Sequence, residues 1–494
     1  MLHVPRWAEA ILWVIILCLA VGIRLYLIHL LPVALWSKDA GSYTSSAFDW
    51  MHSGVWETSP RRGAVYSLLI AACIKGFGSL HAVMICQHLL GALAIAATLA
   101  AARICLGRSS LIPLFILGLS LALYGLPLYF EHLLRNETLL FFFGSMLFAS
   151  WFLAVRRHQS GWLWITGISA GLLALTKNVY GPLPLVLVAG YLYFFRNCFE
   201  KPAKQAALFV LAFALPLLGV KALNAFTVHT RPAEPQAGIL FYGRTAQFTV
   251  LDAGEYPEIK AAIRQEVEDY RKRPRLDNNV ILKLTVVPHL ERILAAQGKS
   301  PADLNRLCWK LGLEGVNANR GAYFLQMLED LRKVFLSVSK RPPEFSSSDL
   351  KNVREMLVTH DDPDPLMDVP HTVPLLDAAH TPGHFVLYRK LVSFSVVFRF
   401  GAVALTTLLL PWLFWRSSPA MRFWWLGLAS VWFFNLGLLC TVGRPIDRYL
   451  IPVIPVMFWT LACAFTHGWA FVGAKSGSAS AQTRAQANTN HENH

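Results

Sequence analysis

The ionisable residues that interrupt the apolar stretches of this chain are of two kinds, carboxylates and long cations. Asp39 lies in Ser37-Lys38-Asp39-Ala40-Gly41-Ser42-Tyr43, and Glu131 and Glu137 lie in Tyr129-Phe130-Glu131-His132-Leu133-Leu134-Arg135-Asn136-Glu137-Thr138. The cations are Arg61, Arg62, Lys177, Arg444 and Arg448, with Arg24, Lys221 and Arg399 inside apolar runs. A carboxylate in hydrogen-bond reach of a hydroxyl can take its proton, and Arg and Lys side chains hold phosphate. In or beside hydrocarbon such charges are expensive, which makes them functional candidates by default. Each also has a plainer reading. Asp39 can cap a short amphipathic helix carrying Tyr43, Ala47, Phe48 and Met51. Glu137 can complement the dipole of the apolar helix that it opens, and any single cation can snorkel to headgroups.

Other chemistries lack their signatures. There is no HExxH, no paired His on a helix face and no CxxC for a metal, and no Gly-rich phosphate loop for a nucleotide. Asn136-Glu137-Thr138 matches a glycosylation acceptor pattern, but lies too close to the membrane to be read as one.

The elements that must position these residues are set by composition. Of 494 residues, 55% are hydrophobic and 15% charged, against about a quarter charged in soluble proteins. Apolar runs of about 20 residues, enough to cross a hydrocarbon core of ~30 Å, recur along the chain. The formal net charge of +15 could suggest nucleic acid, but the basic residues punctuate the runs while nearly all acids gather elsewhere. That is a topology signal, with the lipid bilayer and no nucleic acid as the partner. The eight cysteines lie mostly in or beside apolar runs and offer no disulfide framework. The first run is of spanning length without a small-residue cleavage motif, and reads as a retained first helix.

Candidate spans are about 8–31, 82–103, 109–128, 138–155, 161–177, 179–195, 206–226, 395–415, 422–442 and 449–472. The connections holding Arg103/Arg108, Arg156/Arg157, Arg196/Lys201/Lys204 and Arg416/Arg422 are basic and are assigned to the cytoplasm. Residues 63–80 look helical, but their apolar core is short for a span. Counting them as one would move the basic connections outside, so parity makes this a juxtamembrane helix of the outer face. The expected fold is an all-α polytopic membrane protein with about ten spans, eleven being the alternative, plus outer-face juxtamembrane helices.

Four pieces follow: an N-terminal membrane module 1–226, a mostly helical extracytoplasmic insert 227–390, C-terminal helices 391–473 and a disordered cytoplasmic tail 474–494. Within the insert, 255–273, 280–296 and 315–339 show helical spacing, and 340–384 reads as loop. The stripe Tyr323, Phe324, Met327, Leu328, Leu331 and Phe335 reads as core rather than membrane contact.

The arrangement resembles the membrane glycosyltransferases of the GT-C fold, a group that includes protein O-mannosyltransferases and the aminoarabinose transferase of lipid A modification. The resemblance is carried by Asp39-Ala40-Gly41-Ser42-Tyr43, Lys75-Gly76-Phe77-Gly78, Asn136-Glu137-Thr138-Leu139, Leu175-Thr176-Lys177 before Gly181-Pro182, and Arg448-Tyr449-Leu450-Ile451-Pro452-Val453-Ile454-Pro455. It covers most of the membrane part. The chain departs from that family in having one acid in the first-loop motif rather than a pair, so a divalent metal is not supported, and in carrying its soluble segment between spans.

The resemblance implies transfer of a sugar from a polyprenyl-phosphate donor to a lipid, glycan or protein acceptor. It implies a bacterial-type inner membrane with the active site on the periplasmic side. Asp39 would be the general base of an inverting transfer. Glu137 and Glu131 would orient the acceptor or assist, Arg61, Arg62, Lys177 and Arg448 would hold the phosphate, and Tyr43 and Arg444 would contact substrate. Two alternatives stand beside this reading. A lipid-linked glycan polymerase or ligase would rely on Arg and His of the large loop. A lipid or sugar transporter would show internal repeats and broken helices near the midplane.

Overall fold

The computed structural model describes residues 5–32, 34–35, 40–54, 63–106, 111–157, 159–177, 180–181, 201–226, 237–272, 286–336 and 386–416, with 429, 432, 451–461 and 463–464. Among them the protein is helical, with one isolated bridge, between Leu35 and Leu133. Most of the spans expected at 179–195 and 422–442, the loop 340–384 and the tail from 474 lie outside the described residues.

The membrane region begins with α1 (Arg6–Leu30), α2 (Gly41–Ser53), α3 (Ala64–Phe77), α4 (Leu80–Leu106), α5 (Leu111–Leu123), α6 (Gly125–His132), α7 (Glu137–Arg157) and α8 (Gly161–Thr176). After it come α9 (Pro202–Phe226), then an insert of shorter helices, then α16 (Val386–Arg416) and the segment 451–464. Five helical stretches among the described residues are long and apolar enough to cross a membrane: Trp7–Leu30, Leu80–Ile104, Leu111–His132, Glu137–Ala154 and Pro202–Ala225. The third is broken. Tyr124 leaves helical backbone (ψ 106°), and Pro127, having no N–H, cannot bond back across that break.

Cross-helix bonds fix direction. Glu9 near the start of α1 pairs with Arg103 near the end of α4, while Arg24 and Leu31 at the other end of α1 meet Glu131 and His132. Ser150 of α7 meets Thr166 of α8 mid-helix (3.0 Å), and Asn136, just before α7, donates to Thr176 O at the end of α8 (2.8 Å). A Cβ on Gly167 would meet Phe209 O and Ala212, and one on Gly171 would meet Phe213 O and Pro216. Small residues four apart let helix backbones approach closely in a membrane. The contacts advance along both helices together, so α8 and α9 run parallel, and Thr176 and Phe226 share one end of the bundle. That end also holds Leu31, Gln87 and Glu137. The basic residues Arg103, Arg157, Lys201 and Lys204 belong to the opposite end.

The short apolar helix α3 has both termini at the Glu137 end. Gly63, just before it, abuts the carbonyls of Leu175 and Thr176, and Gly78 leads at once into α4. It therefore does not cross the bundle, as its length and the parity of the basic connections predict. Seven of its residues, including Tyr66, Ile70 and Ile74, are buried.

The insert comprises α10 (Ala237–Thr245), α11 (Pro257–Ala262), α12 (Arg264–Lys272), α13 (Val286–Ala296), α14 (Pro301–Ala318) and α15 (Arg320–Leu336). Its own core joins Tyr242, Ile263, Val267, Val286, Leu290 and Leu311. Ser300 and Asp303 close a reciprocal cap that starts α14. Lys260 is fully buried but satisfied, donating to Ala253 O (2.6 Å) and Glu314 (2.7 Å).

The stripe on α15 departs from expectation in part. Phe324 and Leu328 are 59% and 44% exposed, and no described side chain of α15 enters the insert core. Tyr323 and Met327 are half-buried, Tyr323 edge-on against Phe248. The single helix read at 315–339 is in fact two, parted at Asn319.

Burial also decides the chemistry of Cys308. It is inaccessible, and burial pushes its thiol up to about 12. Since the thiolate is the nucleophile, a maleimide reagent at pH 8 is expected to leave Cys308 unmodified in the folded protein and to label it in denaturant. Peptide mass spectrometry checks this, and labelling in the native state would contradict the packing.

Candidate active site

At the end where α1, α4, α6, α7 and α8 meet, sequence-distant polar residues converge. Leu35 of the first loop pairs with the α6–α7 turn: its N–H donates to His132 O (2.8 Å) and its carbonyl accepts from Leu134 N–H (2.9 Å). The loop is thereby fastened a few residues before α2 begins. Ala40 and Tyr43 are buried, and the Tyr43 ring meets Tyr66 of α3 edge-on at 4.9 Å. Such aromatic pairs add roughly 0.5–1.5 kcal/mol beyond area burial.

Glu137 opens α7, where the helix terminus favours a carboxylate. Its side chain is 2% exposed and lies 3.6 Å from Arg135 Nε. It is also within electrostatic reach of the Tyr66 phenol. Lys177 follows α8 in extended backbone (φ −154°, ψ 109°) and is partly exposed. Three elements meet beside it. Asn136 bonds Thr176 O, and a Cβ on Gly63 would sit 1.8 Å from Leu175 O. Only glycine allows that approach of the α3 entrance to the end of α8.

Of the residues singled out in sequence, the structure brings together Tyr43, Glu137 and Lys177, in the sense that Tyr66, Asn136 and Gly63 link their elements. Asp39, Arg61, Arg62, Arg444 and Arg448 lie outside the described residues.

Glu131 is placed differently from Glu137. It is fully buried, with Oε1 2.6 Å from Arg24 Nη2 and Oε2 2.8 Å from His88 Nδ1. Both oxygens are engaged by the protein itself, so its geometry is that of a buried anchor rather than of a group facing an acceptor. Arg24, 3% exposed, is part of the same anchor and also donates to Ala20 O.

His88, His132, Gln87 and Tyr66 were not legible as site neighbours from sequence. Tyr66 donates to Gln87 Oε1 (2.7 Å), and Gln87 Nε2 donates to Glu131 O (2.8 Å) and Leu133 O (2.9 Å). The available signal was polar residues within apolar runs, Gln87-His88 in one and Glu131-His132 at the end of another.

Gly91 makes room for the anchor, since its Cβ would lie 1.9 Å from Glu131 Oε1. Overpacking typically costs about 1–3 kcal/mol, so Gly91→Ala is expected to lower thermal stability by that order. An unchanged melting temperature in detergent would contradict the packing around Glu131.

No group of three or more His, Cys, Asp or Glu among the described residues is arranged to hold a metal ion.

Residues 63–219, about a third of the chain, match the dolichyl-phosphate-mannose-protein mannosyltransferase family. No curated protein sequence matches. Among solved structures, the chain is similar to ArnT of Cupriavidus metallidurans bound to undecaprenyl phosphate. The identity is 17% and the TM-score 0.36, over 82% of this chain and 81% of that one. An oligosaccharyltransferase of Archaeoglobus fulgidus in complex with zinc and sulfate is similar at 14% identity and a TM-score of 0.35, over 88% of this chain and 54% of that one. Overlays this loose carry no residue correspondence, and the weight rests on the sequence match. That match runs from the entrance of α3 into α9, through Glu137 and Lys177.

Proposed function

We propose that the protein transfers a sugar from a polyprenyl-phosphate donor to a hydroxyl of a lipid, glycan or protein acceptor. The transfer takes place at the end of the bundle that holds Glu137 and Lys177. One observation carries the reading: the entrances of α3 and α7 both close on the end of α8, at Lys177. Arg61 and Arg62 immediately precede Gly63, and Asp39 precedes Ala40, which leads into Tyr43 and its contact with Tyr66. The matched family is named for a dolichyl-phosphate sugar, a donor of the same chemical class.

The residue types suit that chemistry. A phosphate leaving group departs without a general acid, but its growing charge needs fixed cations. Lys177, with Arg61, Arg62 and Arg448, supplies them, and Tyr43 and Arg444 contact substrate. Asp39 takes the proton of the acceptor hydroxyl as it attacks the anomeric carbon, with inversion. Glu137, buried beside Arg135, orients the acceptor or the base. Glu131 supports the site from behind through Arg24 and His88. The basic loops at the opposite end support a cytoplasmic side there, and on this reading the reaction faces the periplasm of a bacterial-type inner membrane.

The test is binding of undecaprenyl phosphate to the full chain in nanodiscs. A hydrogen bond to a charged group contributes about 1.5–3 kcal/mol, so Lys177→Ala is expected to weaken binding roughly 10- to 100-fold. Arg157→Ala, at the other end, leaves it unchanged. Equal effects of the two variants, or none of Lys177→Ala, would remove the site from this end.

A further inference from the structure

Glu131, His88 and His132 form a continuous buried chain of hydrogen bonds that the transfer chemistry does not use. Glu131 Oε2 is 2.8 Å from His88 Nδ1, His88 Nε2 is 2.8 Å from His132 Nδ1, and His132 Nε2 is 2.9 Å from Leu31 O. All three side chains are at most 2% exposed.

The protons on this chain can be counted. A carbonyl oxygen only accepts, so His132 Nε2 carries a proton. The His88–His132 contact needs one proton between its two nitrogens, and the Glu131–His88 contact needs one more. Three bonds require three protons, whereas two neutral imidazoles and an ionised carboxylate bring two. The geometry therefore holds one proton beyond the neutral rings. Arg24 Nη2, 2.6 Å from Glu131 Oε1, favours the ionised carboxylate, which places the extra proton on an imidazole. Glu131 then lies between two cations, the Arg24 guanidinium at one oxygen and the protonated histidine pair at the other.

The far end of this chain is the first loop. His132 holds Leu31 O through its ring and accepts from Leu35 N–H through its backbone carbonyl. Both ends of the segment 31–35 are thus tied to one residue, four residues before Asp39. We propose that the extra proton shared by His88 and His132 fastens the first loop to the α6–α7 turn, and that both histidines are positioning residues for the transfer site. Loss of this proton as pH rises leaves one of the three bonds unmade and loosens the loop.

Among the described residues, other charged or titratable groups facing the chain include Arg24 from α1 and His81 from α4, with Tyr66 of α3 reaching it through Gln87. Arg24 and an ionised His81 both oppose the extra proton, and Glu131 retains it.

For its activity arm the proposal rests on the transferase reading; the protonation arm is independent. Full-length protein labelled with 15N-histidine in nanodiscs is examined by NMR, with His88→Gln and His132→Gln assigning the signals. At pH 7 one of the two rings is expected to be doubly protonated. Exchange of the Leu35 and Leu134 amides, corrected for intrinsic rate, is expected to speed up at least tenfold when that ring deprotonates.

In the second arm, His132→Leu weakens undecaprenyl phosphate binding at least tenfold. His132→Gln keeps an N–H for Leu31, and is expected to restore binding to within a few-fold and to abolish its dependence on pH between 6 and 9. Two neutral rings at pH 7, or a pH dependence that survives in His132→Gln, overturns the proposal. Failure of the transferase reading looks different. Wild-type protein then binds no undecaprenyl phosphate, while the imidazolium and its coupling to Leu35 and Leu134 exchange persist and the loop-fastening role stands.

Discussion

Asp39→Asn is expected to abolish most of the transfer while leaving the protein folded and inserted. A positioned general base contributes roughly 10²- to 10⁴-fold to rate, and an amide of the same size cannot take the hydroxyl proton. The variant keeps the shape of the side chain and its capacity to accept a bond from the helix that starts at Gly41. Asn caps a helix about as well as Asp, so the variant isolates the base from the cap. Turnover down by two or more orders of magnitude with an unchanged melting temperature marks a base. Near-normal turnover removes Asp39 from the mechanism.

Glu131→Leu is expected to have the largest effect on stability. In the native protein Glu131 lies between Arg24 and His88, all three buried. Removing it leaves Arg24 with its bond to Ala20 O and deprives His88 of its acceptor. Breaking a buried ion pair from one side costs about 3–5 kcal/mol, whereas replacing the whole pair by packed apolar groups is often nearly neutral. The double variant Arg24→Leu with Glu131→Leu is therefore expected to be more stable than Glu131→Leu alone. Thermal unfolding of the three proteins checks this. A single variant within 1 kcal/mol of wild type would mean that the pair is hydrated and the anchor is not one.

Much of the membrane architecture was legible because hydrocarbon imposes length. The apolar runs at 8–31, 82–103, 138–155 and 206–226 became helices of nearly those limits. The non-spanning character of α3 followed from its short core and from where the basic connections fall. The break at Tyr124 was less legible, since Leu111–His132 reads as one apolar run and only Pro127 marks the interruption.

The insert shows the limit of periodicity. A stripe such as Phe324, Met327 and Leu328 records that a helix has an apolar side, but not whether another element arrives to cover it. Here α10 to α14 complete a core without it.

The site was legible in part. Glu137 and Lys177 stood out as charges at the ends of apolar runs, and the structure sets their elements together. Glu131 stood out for the same reason but is buried and paired. Its partners Arg24 and His88 are 107 and 43 residues away in sequence, and nothing local distinguishes a carboxylate with distant partners from one facing a cleft. His88 and His132, 44 residues apart, were unreadable for the same reason, because each alone is a single polar residue beside an apolar run.

The central claim is that the donor phosphate sits at the end of the bundle where α3, α7 and α8 meet. A cryo-EM map of the full chain in nanodiscs with undecaprenyl phosphate tests it most directly. The account predicts phosphate density in hydrogen-bond reach of Lys177, with an Asp39 carboxylate oxygen facing the same cleft. Phosphate bound near the middle of the membrane, or at the Arg103 and Arg157 end with Lys177 uncontacted, would contradict it.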